Sequence, residues 1–597
     1  VSDLHFSPRP NRASEIQWRD WGDGAFRESE ETAKPVVLAI SAVWCHWCHV
    51  MDETTYSTDA VIRLLNERFI PVRVDNDRRP DVNARYNMGG WPTTAVLTPD
   101  GEIVHGGTYI PPDPMLRLLG QIERFFADPD NRLELAAQVR RVKEERTRGG
   151  LLRADGSTRA LDARTADAVL GQLEEQFDQE YGGFGDEQKF PQTSTLHFML
   201  DHWARTCDPR DEKMTLATLR GMAGGGMYDR VEGGFFRYST TRDYSVPHFE
   251  KMLEDLGGLL LACARADAAF AAKDLGLVAR DVKRYLDATL WQPERGAYGG
   301  SQDADEAYFS LDATARMLRK TPYVDPTTYT SWNAETARSL LLAQPLLGGA
   351  TGELEEWTIR GLAILETLWS RLLRDGLMCR YFDGAPHVRG LLGDQVWSIS
   401  AALAAHASTG DGLWLTRAGD LITATDALYD GSGGYADRLA SEGGPGRLSD
   451  RAVPFNENAI MARSLLAYSA ATAQPAIADR ARGILGRFEP DYRRYGIFAA
   501  AYASAVMDAI EPPVSAVIVG SPHAAASLRS TALSAASPAI DVIPVDPNTE
   551  VERLERLGHA QPADASAVAY LCRGTSCFAR VTSESDLSDA LARSLRA

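Results

Sequence analysis

Six times between residues 180 and 500 the chain breaks a long Ala/Leu-rich stretch with glycine close to an aromatic residue. The breaks read YGGFG at Gly182, GGFFRY at Gly233, AYGGS at Gly299, GLMCRY at Gly376, GGYADR at Gly433 and YGIFAA at Gly496. They are spaced by roughly 50 to 80 residues, room for two helices and their connections. The intervening stretches, among them ARTADAVLGQLEEQF, LEDLGGLLLACARADAAFAAKD and NENAIMARSLLAYSAA, carry apolar residues at helical spacing. A helix pair cannot bury its apolar stripe alone, so similar pairs stack into an open array or close into a ring. Six pairs that close give an all-α (α/α)6 barrel over residues 161–511, whose inner helices and one set of loops line a central pocket.

The ends of the chain follow another pattern. In residues 1–130 a buried strand (PVVLAIS), a helix (HVMDETTYSTDAVIRLLNERF), a second strand (IPVRVDND) and a hairpin turning at Pro99-Asp100-Gly101 follow in order, the layout of a parallel crossover and a hairpin in one α/β domain. Residues 131–160 are charged, contain Gly149-Gly150, and read as a connector. Beyond residue 512, PVSAVIVG, AIDVIPVDP and ASAVAYLCRG alternate with helix-like pieces, so 512–597 is expected to form a small α/β domain.

The formal charge of −19 is spread along the chain without a basic run, which argues against nucleic acid or an acidic membrane surface as partner. No apolar run approaches the roughly 18 residues that span a bilayer. The opening VSDLHFSPRPNRASEIQ has neither a cationic flank nor an apolar core, so the expectation is a soluble, cytoplasmic protein. Seven cysteines in 597 residues make no disulfide framework. Cys207, Cys263 and Cys379 stand alone and are read as small buried hydrophobes. Cys45 with Cys48 and Cys572 with Cys577 form two close pairs.

Cys45-His46-Trp47-Cys48-His49 follows the strand VVLAIS and opens a helix. Four readings compete: a thioredoxin-type dithiol, a haem attachment site, a metal site, and two cysteines filling a core. At a helix start, unpaired N–H groups and the partial positive charge of the helix stabilise a thiolate on the leading cysteine. Cys48, one turn further in, is placed to resolve a mixed disulfide. His46 between them stabilises the thiolate further. Pro92, in Gly90-Trp91-Pro92-Thr93 just before the strand TAVLT, favours the dithiol: a cis proline there sets its preceding backbone beside the cysteines, where an extended substrate can pair with it. On this reading the Cys45 sulfur is expected to be accessible, and no cofactor or metal is called for.

CHWCHVM, LLNERFIPVRVDNDRRPDV and GGWPTTAVLTPDG resemble the thioredoxin-like domain of the spermatogenesis-associated protein 20 family. The likeness runs on through KFPQTSTLHFML, GGGMYDRVEGGFFRYSTTRDYSVPHFEKMLEDL, GGSQDADE, TSWNAETARSLL and AYLCRGTSCFARVTSESDL. It implies a thioredoxin fold joined to a six-hairpin barrel similar to those of N-acylglucosamine 2-epimerases and six-hairpin glycosidases, with no settled reaction.

The barrel loops gather Tyr228, Asp229, Arg237 and Tyr238, then His248 and Glu250, then Asp303, Asp305 and Glu306, then Trp332 and Asn333. Paired carboxylates, histidines and aromatic faces are what sugar chemistry uses. The same residues also cap helices and close loops. Asp229, Arg237, His248, Glu250, Asp303, Asp305, Trp332 and Asn333 are therefore candidates to line a polar-ligand site. Cys572 and Cys577 are read as a second dithiol, a local structural disulfide or two unlinked thiols. The expected function is thiol–disulfide exchange with a thiol or disulfide partner, with Cys45 attacking, Cys48 resolving, His46 tuning and Pro92 shaping the groove, and with a barrel that binds a carbohydrate-like or other polar molecule. The rivals are an epimerase or hydrolase with a regulatory dithiol, and a scaffold without turnover.

Overall fold

The computed structural model describes residues 5–153, 159–348, 351–535, 540–562, 566–574 and 576–594. The chain divides into two compact units, Val1–Gly156 with Ala436–Ala452, and Ser157–Tyr435 with Val453–Ala597.

In the first unit, helix α1 (Asp23–Thr32) precedes strand β1 (Val36–Ser41), and α2 (His46–Glu53) and α3 (Asp59–Arg68) cross over to β2 (Ile70–Asp75). Then follow α4 (Pro80–Tyr86), the hairpin β3 (Thr93–Leu97) and β4 (Ile103–Gly107), α5 (Pro112–Ala127) and α6 (Pro129–Arg153). The stretch read as a connector is thus largely the helix α6. The sheet runs β2-β1-β3-β4, with β1 parallel to β2 and antiparallel to β3. All six residues of β1 are buried, because helices cover both faces. Alternation sends Val37 and Ala39 into a cluster with Met51, Leu65 and Leu119, and Val36, Leu38 and Ile40 into one with Trp21, Phe26 and Tyr86.

That second cluster is completed by Leu448, from the stretch Ala436–Ala452. Its neighbours anchor it by hydrogen bonds. Tyr86 Oη donates to the Gly101 carbonyl (2.8 Å) and accepts from the Arg447 N–H (2.7 Å), while Arg85 pairs with Asp437 (2.8 Å) and Arg447 with Glu102 (3.0 Å). Gly446 sits at φ +64 so close to Gly101 and the Tyr86 hydroxyl that a side chain there would collide with them. Leu448→Ala is expected to destabilise the first unit by about 2–5 kcal/mol, read as faster hydrogen exchange of the β1 amides.

In the second unit α7 (Thr165–Gln176), α8 (Thr193–Thr206), α9 (Pro209–Gly224), α10 (Leu253–Phe270) and α11 (Lys273–Tyr285) are followed by two short helices, α12 (Glu306–Phe309) and α13 (Ala313–Met317). Then come α14 (Thr330–Leu347), α15 (Thr351–Arg371), α16 (Leu392–Thr409), α17 (Gly412–Thr425), α18 (Phe455–Thr472), α19 (Pro475–Phe488) and α20 (Ala500–Ile510). Helices α8, α10, α14, α16, α18 and α20 each pack on the next, and α20 packs back on α8. The array is therefore a closed (α/α)6 ring, with α7, α9, α11, α15, α17 and α19 outside it. Each glycine break lies between an outer helix and the following inner one. There the chain reverses through a left-handed glycine, at Gly182 (φ 76) and Gly233 (φ 85) for example, while a short antiparallel bridge closes the turn, Phe177 to Phe184 and Tyr228 to Phe235. In the third hairpin the left-handed residue is Gly296, not Gly299.

The last four strands, Val514–Val519, Ile540–Val545, Val568–Arg573 and Ser576–Val581, form a sheet with the second beside the first, then the third, then the fourth. The first pair is parallel and the others antiparallel. Order and directions repeat those of β1 to β4, so the chain ends in the same sheet topology with which it begins. Among the described residues, no helix is long and apolar enough to cross a membrane.

Candidate redox site

The residues Cys45 to Cys48 sit where β1 gives way to α2. Cys45 is the N-cap: its backbone is extended, its carbonyl accepts from the Cys48 and His49 N–H groups (3.0 and 3.1 Å), and its Sγ accepts from the Cys48 N–H (3.2 Å). The sulfur is thus held against the first-turn amides, where the partial positive charge of the helix favours a thiolate. Cys45 and Cys48 are joined in a disulfide. In this oxidised state Cys45 is only 4% exposed, more closed than the sequence reading expects.

Aromatic rings frame the pair. Trp44 donates its indole N–H to Asp77 (2.7 Å) and meets Trp91 edge to face at 5.7 Å. The Trp91–Pro92 peptide bond is cis. Since β3 begins at Thr93 and pairs with β1, this contact brings the segment before Pro92 to the end of β1 from which Cys45 follows. His46 is half-buried, edge to face with Trp47, and Trp47, 48% exposed, lies against Tyr109 at 5.3 Å.

Two further groups on α2, Asp52 and His49, were not among the expected site residues. Asp52 is wholly buried and accepts from both terminal nitrogens of Arg73 on β2 (2.7 and 3.0 Å), with the Ser7 N–H as a third donor (3.1 Å). This pair ties the dithiol helix to the sheet. His49 is buried 6.0 Å, ring to ring, from His5. Desolvation, then the charge of His5, pushes its pKa from 6.5 down to about 3. Folded His49 is thus neutral where the unfolded chain's imidazole takes up a proton. Its contribution is complete above pH 6.5 and is lost as the pH falls toward 3, by up to about 1.4 kcal/mol per pH unit. Denaturation at pH 7 and pH 5 is expected to show that fall, and His49→Gln a shallower one.

In the second unit the candidate residues divide. Asp229 is buried in a knot with Lys251 and Arg316 (2.7 Å each). Burial alone would raise its pKa, but these two cations hold it below the usual carboxylate value. Asn333 hydrogen-bonds both the N–H and the carbonyl of Tyr298, closing the third hairpin. Asn458 does the same for Tyr435, and Gln395 for Met378. Asp305 caps α12 through the Tyr308 N–H (3.0 Å), and Asp303 accepts from the Ala304 N–H (2.8 Å). Trp332 is buried against Tyr329. His248 and Glu250 come together: His248 Nδ1 lies 2.7 and 2.8 Å from the two oxygens of buried Glu250, and its ring stacks on Tyr238, beside which Arg237 sits.

Cys572 and Cys577 are cross-strand partners joined in a disulfide, with His559 Nε2 4.0 Å from the Cys572 sulfur. Cys263 and Cys379 are buried as expected. Cys207 is exposed, because it follows α8 in the left-handed conformation that ends the helix.

Residues 9–144 match a protein family described as being of unknown function, DUF255, and designated Thioredox_DsbH. A segment is 36% identical over 309 residues to spermatogenesis-associated protein 20 of Mus musculus, covering 49% of this chain and 39% of that protein. The protein of the same name from Homo sapiens is 35% identical over the same shares. The chain thus spans about two fifths of the length of these curated relatives. Among solved structures, cellobiose 2-epimerase from Spirochaeta thermophila is similar with a TM-score of 0.47 at 17% identity, covering 58% of this chain and 94% of that one. A sugar epimerase from a ruminal bacterium gives a TM-score of 0.45 at 12% identity, covering 57% and 95%.

Proposed function

We propose that this member of the spermatogenesis-associated protein 20 family is a thiol–disulfide oxidoreductase in which Cys45 attacks and Cys48 resolves. The observation that carries the reading is the Cys45 sulfur at the N-cap of α2, facing the Cys48 N–H and already paired with Cys48. In the reducing direction the Cys45 thiolate attacks one sulfur of a substrate disulfide, and the other substrate sulfur leaves as a thiolate that takes a proton from water. The Cys48 thiolate then attacks the Cys45 sulfur. The mixed disulfide breaks, the second substrate thiol departs, and the Cys45–Cys48 disulfide remains. Two electrons have passed to the substrate, and an external dithiol returns them. His46 adds positive character beside the thiolate, and the backbone before Pro92 offers an extended peptide a pairing edge. Exposed Trp47 supplies an apolar landing for it. Trapping tests the reading: Cys48→Ser is expected to accumulate a covalent adduct with a disulfide-bonded peptide, seen by mass spectrometry and lost on reduction. No adduct would remove Cys45 as the attacking group.

A second reading, sugar chemistry in the barrel, is favoured by the His248–Glu250 pair, in which a buried carboxylate orients an imidazole stacked on Tyr238. Sugar turnover lost in Glu250→Gln but retained in Cys45→Ser would support it.

A further inference from the structure

The second unit holds a partly open cavity of about 470 Å³ between its six inner helices, floored by Pro512, Pro513 and the strand Ile540–Val545. That volume suits a small molecule. None of the eight barrel residues singled out from the sequence lines it.

The wall is built from charge. Asp201 on α8 is held between Arg265 of α10 (2.6 Å) and Arg463 of α18 (2.7 Å). Arg463 turns its other edge to Asp508 of α20 (2.6 Å), which also pairs with Arg205 (2.5 Å). This alternating row has more cations than anions. Arg338 of α14 lines the same space and has no hydrogen bond or ion pair among the described residues. Burial, with Arg463 and Arg265 nearby, lowers its pKa only to about 10, so it stays cationic. Of the two acids that act on it, Asp201 is already held between Arg265 and Arg463, and burial raises Glu335 to about 8. His197 Nδ1 must accept from Arg265 (3.1 Å), because a guanidinium only donates, so its Nε2 carries the proton.

A half-buried guanidinium without a partner costs stability unless something pairs with it. We propose that the cavity is a binding site for a small organic anion, a carboxylate or phosphate on a hydroxylated carbon skeleton, whose charged group forms a bidentate pair with Arg338. His197 Nε2–H and the protonated Glu335 then serve its hydroxyls, and Trp397 offers an aromatic face. The site shares no residue with either function proposed above.

Calorimetric titration of the full chain with glucuronate, glucose 6-phosphate and glucose at one ionic strength tests this. At least one anion is expected to saturate at one per chain, with glucose at least tenfold weaker. Binding of glucuronate alone assigns the carboxylate, and of glucose 6-phosphate alone the phosphate ester. Arg338→Gln is expected to weaken the anion at least tenfold while leaving the ligand-free Tm equal or higher, since it removes a cation without a partner. Arg338→Lys, which keeps the charge but not the fork, is expected to lie between. Failure of both anions to bind, equal binding of glucose, an unaltered affinity in Arg338→Gln, or a lowered ligand-free Tm in that variant would overturn the proposal.

Discussion

Cys45→Ser is expected to bring reduction of a disulfide-bonded test peptide down to the uncatalysed background, a loss on the order of 10³-fold or more. A serine oxygen is not ionised at neutral pH and cannot enter a disulfide, so neither half of the exchange runs. The helix start is expected to survive, because serine is among the best N-caps and its oxygen can take over the Cys48 N–H that the sulfur now accepts. Thiol release by wild type and variant, both fully reduced and with circular dichroism recorded in parallel, separates lost chemistry from lost fold. Equal thiol release would remove the oxidoreductase assignment.

Asp52→Asn should unfold the first unit more readily by about 3–5 kcal/mol. Both partners of the Asp52–Arg73 pair are buried, and the neutral amide leaves the Arg73 guanidinium without its counter-charge. Asp52 lies on the helix that Cys45 opens and Arg73 on the neighbouring strand, so thiol release is expected to suffer along with stability. The double variant Asp52→Leu with Arg73→Met should recover most of the stability, because removing both charges together leaves nothing unpaired. Guanidinium denaturation of the three variants, followed at the β1 amides, checks the order.

What could be read directly from the residues was periodic. VVLAIS has the unbroken apolar run of a strand covered on both faces, and CHWCH stands where such a strand hands over to a helix. The recurrent glycines marked the turns between outer and inner helices, and their number matched the ring. Residues 131–160 read as a connector on their charge and Gly149-Gly150, and much of that stretch is the helix α6, because its Glu, Arg, Leu and Ala are strong helix formers. Asp229, Asp305 and Asn333 are residue types that serve ligands and backbone alike, and Asn333 lies within α14, so composition cannot say whether such a side chain faces a ligand or a backbone amide. Asn333 had a signal all the same, since Asn458 and Gln395 perform the same closure in other hairpins. The charged wall of the cavity was hidden for the opposite reason. Asp201, Arg265, Arg338, Arg463 and Asp508 are scattered through helices whose polar positions read as solvent-facing, and only ring closure turns them inward. Beyond the GGYADR break, the stretch Ala436–Ala452 shows no helical or strand period, because its buried residues Ala436, Arg438, Leu439 and Leu448 follow none.

That stretch sets a timetable for synthesis. Arg447 is made 345 residues after Glu102, its ion-pair partner, a gap of roughly 20 to 70 s at ordinary elongation rates. Meanwhile the nascent amino-terminal sheet has one finished side, the Met51 and Leu119 side behind the dithiol, and one side whose Trp21, Phe26 and Tyr86 still lack their last neighbour. Until residue 452 has emerged, that side of the sheet lacks Leu448, and Arg85 and Glu102 lack their partners Asp437 and Arg447.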